Sequence, residues 1–132
     1  MANIQIEKIA DVAVVHCEGR IVHSDAAFRL RNAVTQQSDA RIIILDLSDL
    51  KALEGGGLGM LVFLHRWSRD HGIQLKLFDP PNCVQRKLKY ISSEEFEIVG
   101  TDEVLSLLDW EARPKPADAV QQRLVTLTSV GS

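Results

Sequence analysis

The residues whose types most invite chemistry are Glu54-Gly55-Gly56-Gly57-Leu58-Gly59, set between an apolar run (Ile42 to Leu47) and a strongly apolar segment beginning near Leu58. A glycine-rich turn at a helix start exposes backbone amides that can cradle a phosphate. A P-loop, however, needs GxxxxGK[ST], with a lysine to neutralise phosphate and a hydroxyl to hold magnesium. Met60-Leu61 occupies the helix start instead. A dinucleotide fingerprint needs its glycines directly after the strand, whereas Ser48 to Glu54 intervene here. Glu54 also stands beside the helix start and repels an anion. The turn therefore carries neither nucleotide fingerprint.

Other chemistries fare no better. His16, His23, His65 and His71 fall on a strand, a loop and a helix without an HExxH or Cys/His cluster, so no metal site is expected. Cys17 and Cys83 are far apart and form no CxxC pair, which fits free thiols in a reducing compartment. Cys83 follows Pro80-Pro81-Asn82 at a helix start, yet no base accompanies it and no nucleophile–base set emerges. Arg86, Lys87 and Lys89 share a helix with Tyr90 and read as a solvated face or as a contact for an acidic partner. No cofactor is implied.

The elements that position the turn follow from periodicity. Ile4, Ile6 and Ile9 alternate with polar residues, and Val12 to Cys17 is a β-branched run. With Ala10-Asp11 as the turn, these predict an antiparallel hairpin, ended by Glu18-Gly19. Arg20 to His23 reads as a connection. Ser24 is placed to cap a helix with Asp25 in its first turn, and Ala27, Leu30, Ala33 and Val34 give its apolar face. Ile42 to Leu47 is apolar at nearly every position, as in a strand covered on both faces. A polar connection, Ser48 to Glu54, leads to a helix from about Gly57 to His71, stopped by Gly72. That helix has two apolar stripes: Leu58, Leu61 and Val62, and Met60, Phe63, Leu64 and Trp67. The second stripe goes to the interior or to another protein.

Ile73 to Phe78 predicts a further strand. Asn82 caps a helix with Val84, Leu88 and Ile91 on one face, Glu94 to Val99 reads as an edge strand, and Thr101 caps a last helix with Val104, Leu105, Leu107, Leu108 and Trp110 on its apolar side. Arg113-Pro114-Lys115-Pro116 marks a linker, and Leu124 to Thr128 has strand propensity within a tail. The tail is expected to be mobile, to add a strand, or to strap a partner subunit. Strand–helix–strand order implies parallel crossovers within a mixed α/β sheet.

Composition sets outer bounds. The 132 residues suffice for one domain with a real core, and the net charge of −3 disfavours nucleic acid or an anionic membrane as partner. No apolar run approaches the roughly 18–20 residues that span a bilayer, and the start, Met1 to Val15, lacks signal-peptide character. A cytoplasmic location is expected.

Taken together, the pattern resembles the STAS domain, the family of anti-sigma factor antagonists. Asp46-Leu47-Ser48-Asp49-Leu50 followed by Glu54-Gly55-Gly56-Gly57-Leu58-Gly59 is similar to the family's strand ending in Asp/Asn-Leu-Ser/Gly and its Asp-Ser-Ser/Thr-Gly-Leu-Gly. Gly19-Arg20-Ile21, Gly72-Ile73-Gln74-Leu75 and Pro81 to Ile98 resemble further family segments. The resemblance implies a STAS fold over 1–112, with a mixed sheet of four to five strands and about four helices packed mainly on one side, and a tail over 113–132. It also implies a partner surface made of Val22, His23, Ser24, Asp25, Glu54, Gly55, Gly56, Gly57, Leu58, Met60, Phe63 and Trp67. The family's phosphorylated hydroxyl falls at Gly56, and its loop aspartate at Val22, so the usual switch chemistry is missing.

The implied function is a non-enzymatic protein-interaction module. Its expected partner is an anti-sigma kinase-like protein or a larger signalling assembly, with a homodimer through Met60, Phe63 and Trp67 also open. Two alternatives are the cytoplasmic STAS subunit of a lipid-transport ABC system and a ligand-sensing STAS domain that binds a nucleotide or anion.

Overall fold

The computed structural model describes residues 2–92 and 95–112. The tail over 113–132, including Leu124 to Thr128, lies outside them, as does Glu94 at the start of the expected edge segment.

The order is β1 (Asn3–Ile9), β2 (Val12–Ile21), α1 (Ser24–Thr35), β3 (Ile42–Leu53), α2 (Gly56–Asp70), β4 (Gln74–Phe78), α3 (Asn82–Ile91), β5 (Glu97–Val99) and α4 (Thr101–Ala112). The five strands lie side by side in sequence order. β1 pairs antiparallel with β2, and every later neighbour is parallel. The mixed sheet and the opening hairpin are as expected. Ala10 turns that hairpin with φ +52 and no glycine.

One side of the sheet presents Ala13, Val15 and Cys17 of β2, Ile43, Leu45 and Leu47 of β3, and Leu75 and Leu77 of β4. Leu30 and Val34 of α1, Leu58, Leu61 and Leu64 of α2, and Val84 and Leu88 of α3 close over them. The other side presents Val12, Val14, Ile42 and Ile44, against which α4 packs Val104, Leu107 and Leu108. Three helices thus cover one face and one helix covers part of the other.

Several boundaries differ from the sequence reading. β2 does not end at Glu18-Gly19: it bends through Gly19 (φ +93) and carries Arg20 and Ile21, read as connection, into the sheet. The expected polar connection after Leu47 is strand as well. Glu18, Gly19, Arg20 and Ile21 pair with Asp49, Leu50, Ala52 and Leu53, across register shifts on either side of Glu18-Gly19. Burial of Leu50, Ala52 and Leu53 supplies the drive that the polar residues between them disguise.

Ser24 is the first helical residue rather than the cap. His23 holds the cap position, its carbonyl accepting from Ala27 N, with no side-chain cap bond. Asn82 and Thr101 likewise open their helices instead of capping them. At α4 the Gly100 carbonyl accepts from Val104 N, and Glu103 reaches back to the Gly100 amide at 3.1 Å, one half of a capping box. The α2 stripes are also redrawn. Leu64 is fully buried and Val62 is only half-buried, so Leu64 belongs to the inner face. Ile91 and Leu105, read as apolar-face residues, are exposed. Among the described residues, no helix is long and apolar enough to cross a membrane.

Candidate functional site

The glycine turn sits where the upper ends of β2 and β3 deliver the chain to α1 and α2. Glu54 N donates to the Ile21 carbonyl at 3.2 Å, so the exits of the two strands are tied together. Gly55 has φ +53 and ψ −118, a conformation that L side chains avoid, and it reverses the chain into α2. Gly57 is required for a different reason. An added Cβ would collide with the Ile21 carbonyl oxygen and stand 2.7 Å from Leu53 Cδ1. The first turn of α2 therefore packs directly on the backbone of β2.

Gly56 and Gly59 face away from that contact. A Cβ on Gly56 would meet only the Val22 carbonyl at 3.8 Å and the Ala27 side chain at 4.0 Å, and one on Gly59 would meet nothing. Phe63, a turn further on, is 47% exposed. The fold thus brings the Val22–Asp25 loop against the Glu54–Gly56 turn, about thirty residues apart in sequence, as the first half of a surface. His23, Ser24, Asp25, Glu54, Gly55, Gly56 and Phe63 are exposed, and Val22, Met60 and Trp67 are half-buried. Met60 and Trp67 pack partly on the core, and Trp67 also stacks on His71 at 4.6 Å between ring centroids. Gly57 and Leu58 do not join the surface, because both are buried and shape it from beneath.

Two features here escape sequence reasoning. Lys87 of α3 reaches Glu54 Oε2 at 3.3 Å, so the acidic residue of the turn is offset by a cation from a third helix. On the opposite sheet face, beyond the stretch that α4 covers, His16 bridges two carboxylates. Its Nδ1 lies 2.8 Å from Asp46 Oδ2 and its Nε2 lies 2.9 Å from Glu7 Oε1, which links β1, β2 and β3. Ionised carboxylates only accept, so both contacts are hydrogen bonds when the imidazole carries two protons. The Glu7 bond raises the His16 pKa, burial opposes it, and Asp46 adds to the rise.

Burial pushes the Asp46 pKa up, but the Ser48 hydroxyl and amide donate to Oδ1 at 2.6 and 3.0 Å and, with His16, bring it below the ordinary value. The Ser48 hydroxyl donates to a carboxylate rather than to the imidazole, so this network does not activate a nucleophile. Strand alternation alone places His16 on the same face as Val12 and Val14, but its two partners come from other strands. Cys17, on the helix-covered face, is buried, and burial together with the Asp46 charge pushes its thiol up to about 12. Such a thiol is inert at neutral pH. Among the described residues, no group of three or more His, Cys, Asp or Glu side chains is placed to hold a metal.

A sequence profile of the STAS domain matches residues 3–107. A comparison with curated proteins returned no relative. The fold is similar to that of the anti-sigma factor antagonist SpoIIAA in its unphosphorylated form, at 15% identity and TM-score 0.66 over 84% of this chain and 100% of that one. It is similar to an anti-sigma factor antagonist from Mycobacterium paratuberculosis, at 18% identity and TM-score 0.66 over 83% and 95%. A chain from the stressosome, a signal integration and transduction hub, aligns at 15% identity and TM-score 0.59 over 83% and 100%. At these identities the structural likeness carries the fold alone, while the profile covers most of the chain. The chain belongs to the STAS domain family.

Proposed function

We propose that this STAS domain is a non-enzymatic docking module in signal transduction and transcription regulation. It would engage an anti-sigma kinase-like protein or a larger signalling assembly through the outer side of the glycine turn and α2. The observation that carries the reading is the asymmetry of the first turns of α2. Gly57 is sterically forced by the fold, whereas a Cβ on Gly56 would make only ordinary contacts and one on Gly59 would meet nothing. Bare backbone on an exposed helix lets a partner approach closely, and the half-exposed Phe63 supplies an apolar anchor beside it. Solved relatives named as anti-sigma factor antagonists and as part of the stressosome support the partner class.

Gly56 has no hydroxyl, so a phosphoryl group cannot be transferred to this position. Binding here is constitutive or is regulated elsewhere. In affinity capture from the native cell, a Gly56→Trp protein should lose the partners that wild type recovers, because the indole fills the open surface. Recovery of the same partners at the same yield by both proteins would remove this surface from consideration.

A further inference from the structure

β5 closes the sheet at one side. Among the described residues it pairs with β4 alone, so no strand lies beyond its outer edge. An apolar recess opens on each side of that edge. On the α4 side, a cleft of about 520 Å³ is walled by Val99, Val104, Leu107 and Trp110, with Asp102 and Glu103 at its border. On the α3 side, a cleft of about 380 Å³ contains Leu88, Phe96 and Ile98, with Glu95 and Lys89 beside them. Successive residues of β5 thus face opposite recesses, Ile98 the second and Val99 the first. Ile98 is 41% exposed and Trp110 49%. The other edge of the sheet, β1, differs. Its recess is polar, with Asn3, Gln5, Glu7 and His16 among its lining.

The chain itself supplies a segment that matches this edge. Beyond Ala112 it continues through residues 113–132, in which residues 124–128 read Leu-Val-Thr-Leu-Thr, a run of strand formers. The eleven residues 113–123 separate that run from α4. Extended, they reach about 35 Å, whereas the twelve residues of α4 rise only about 18 Å. The run can therefore lie anywhere along α4 and β5. Charge points the same way. Residues 113–132 hold Arg113, Lys115 and Arg123 against Asp118 alone, while residues 1–112 hold 12 Lys or Arg against 17 Asp or Glu. Around the β5 edge, Glu95, Glu97, Asp102 and Glu103 outnumber Lys76 and Lys89, and Lys76 is already taken by Glu97 at 2.6 Å.

We infer that the β5 edge is a docking site for the tail of the same chain, and that residues 124–128 add to the sheet there as a sixth strand. Pairing with β5 satisfies the backbone groups of its outer side. Strand alternation sends Val125 and Leu127 into one recess and Leu124 and Thr126 into the other, so both apolar recesses are filled by one segment. The basic residues that precede the strand lie against the acidic border. A covalent tether keeps this occupant at high effective concentration, which favours it over a separate peptide. The site is distinct from the outer face of α2 and does not depend on what binds there.

The test is NMR on the full chain, wild type against Val125→Asp/Leu127→Asp. Wild type should show cross-strand NOEs between residues 124–128 and residues 97–99. Its amides at 124–128 should exchange with deuterium at least about tenfold more slowly than those of the double variant. The variant should also shift the Ile98 amide and the Trp110 indole Nε1 resonances. Exchange in β2 and β3 should stay unchanged, which shows that the rest of the domain keeps its fold. Val125→Ile/Leu127→Val keeps apolar strand formers and should retain the NOEs. Wild-type amides at 124–128 that exchange as fast as in an unstructured peptide, or NOEs from them to another element, would overturn the inference. NOEs seen only between differently labelled copies in a mixed sample would overturn it in favour of a strap between subunits.

Discussion

The two faces of the sheet are built differently. Under α1, α2 and α3 the inward residues of β2, β3 and β4 are apolar, from Ala13 to Leu77, and the helices close over them. Under α4 the face is divided. Val12, Val14, Ile42 and Ile44 are dry, and one step along the same strands His16 and Asp46 are polar and joined. The boundary is the edge of helix coverage. Where a helix removes water, an unpaired charge is costly; where it does not, a hydrogen-bonded ion pair is tolerated. The first face therefore holds the protein together, and the second makes its stability depend on pH.

The largest effects should come from the helix-covered face. Leu61→Ala removes a fully buried side chain and should cost about 2–5 kcal/mol of unfolding free energy, read by denaturant titration. Gly57→Ala drives a methyl against the β2 backbone and should cost about 1–3 kcal/mol. A Gly57→Ala protein as stable as wild type would show that α2 can shift on the sheet, and the contrast between the two sides of its first turn would fail.

A smaller effect is expected on the divided face. The charged groups facing His16 are Glu7 from β1 and Asp46 from β3. Glu18 and Asp49 line the same recess, and α4 packs Val104, Leu107 and Leu108 on the neighbouring part of this face. The His16 pKa is raised by folding, so its contribution is complete below the ordinary value of 6.5 and is lost as pH rises through the folded value. The Asp46 pKa is lowered, so its contribution is complete above the ordinary value of 3.8 and is lost as pH falls through the folded value. The clamp is strongest between these limits. Because His16 is partly solvated, its stabilisation should stay below about 1 kcal/mol. Unfolding midpoints of wild type should fall slightly from mildly acidic to mildly alkaline pH, and His16→Gln should flatten that slope. An unaltered slope in His16→Gln would locate the dependence elsewhere.

The smallest effects belong to the outer side of α2, which faces neither sheet surface. Gly56→Ser and Phe63→Ala should each change stability by less than about 0.5 kcal/mol, because a Cβ at Gly56 meets only ordinary contacts. A loss of partner capture by Phe63→Ala without loss of stability would separate docking from folding.

Much of this was legible in the chain. Ile42 to Leu47 announced a central strand because a strand buried on both faces cannot alternate, and the repeat in Ala27, Leu30 and Val34 announced α1. The second half of β3 was not legible. Ser48, Asp49 and Lys51 have loop composition, and only parallel pairing with Glu18 to Ile21 makes them strand. The sequence groups Leu64 with Met60, Phe63 and Trp67 in a second stripe of α2, because periodicity gives the spacing of faces but not the rotation of the helix on its sheet. Of the candidate site, the glycine turn was visible, but the inward direction of Gly57 and Leu58 and the Lys87–Glu54 pair were not.

The sequence by itself determined the element types, the family pattern and one chemical fact that no fold can change: Gly56 has no hydroxyl. These are local properties, set by side-chain chemistry and by the periods of helix and strand. Only the tertiary structure decided which glycine is locked and which is open, which carboxylates His16 joins, and which side of α3 is left without a role in the core. Those outcomes depend on contacts between residues about ten to forty positions apart, where burial and pairing rather than local preference set the energy.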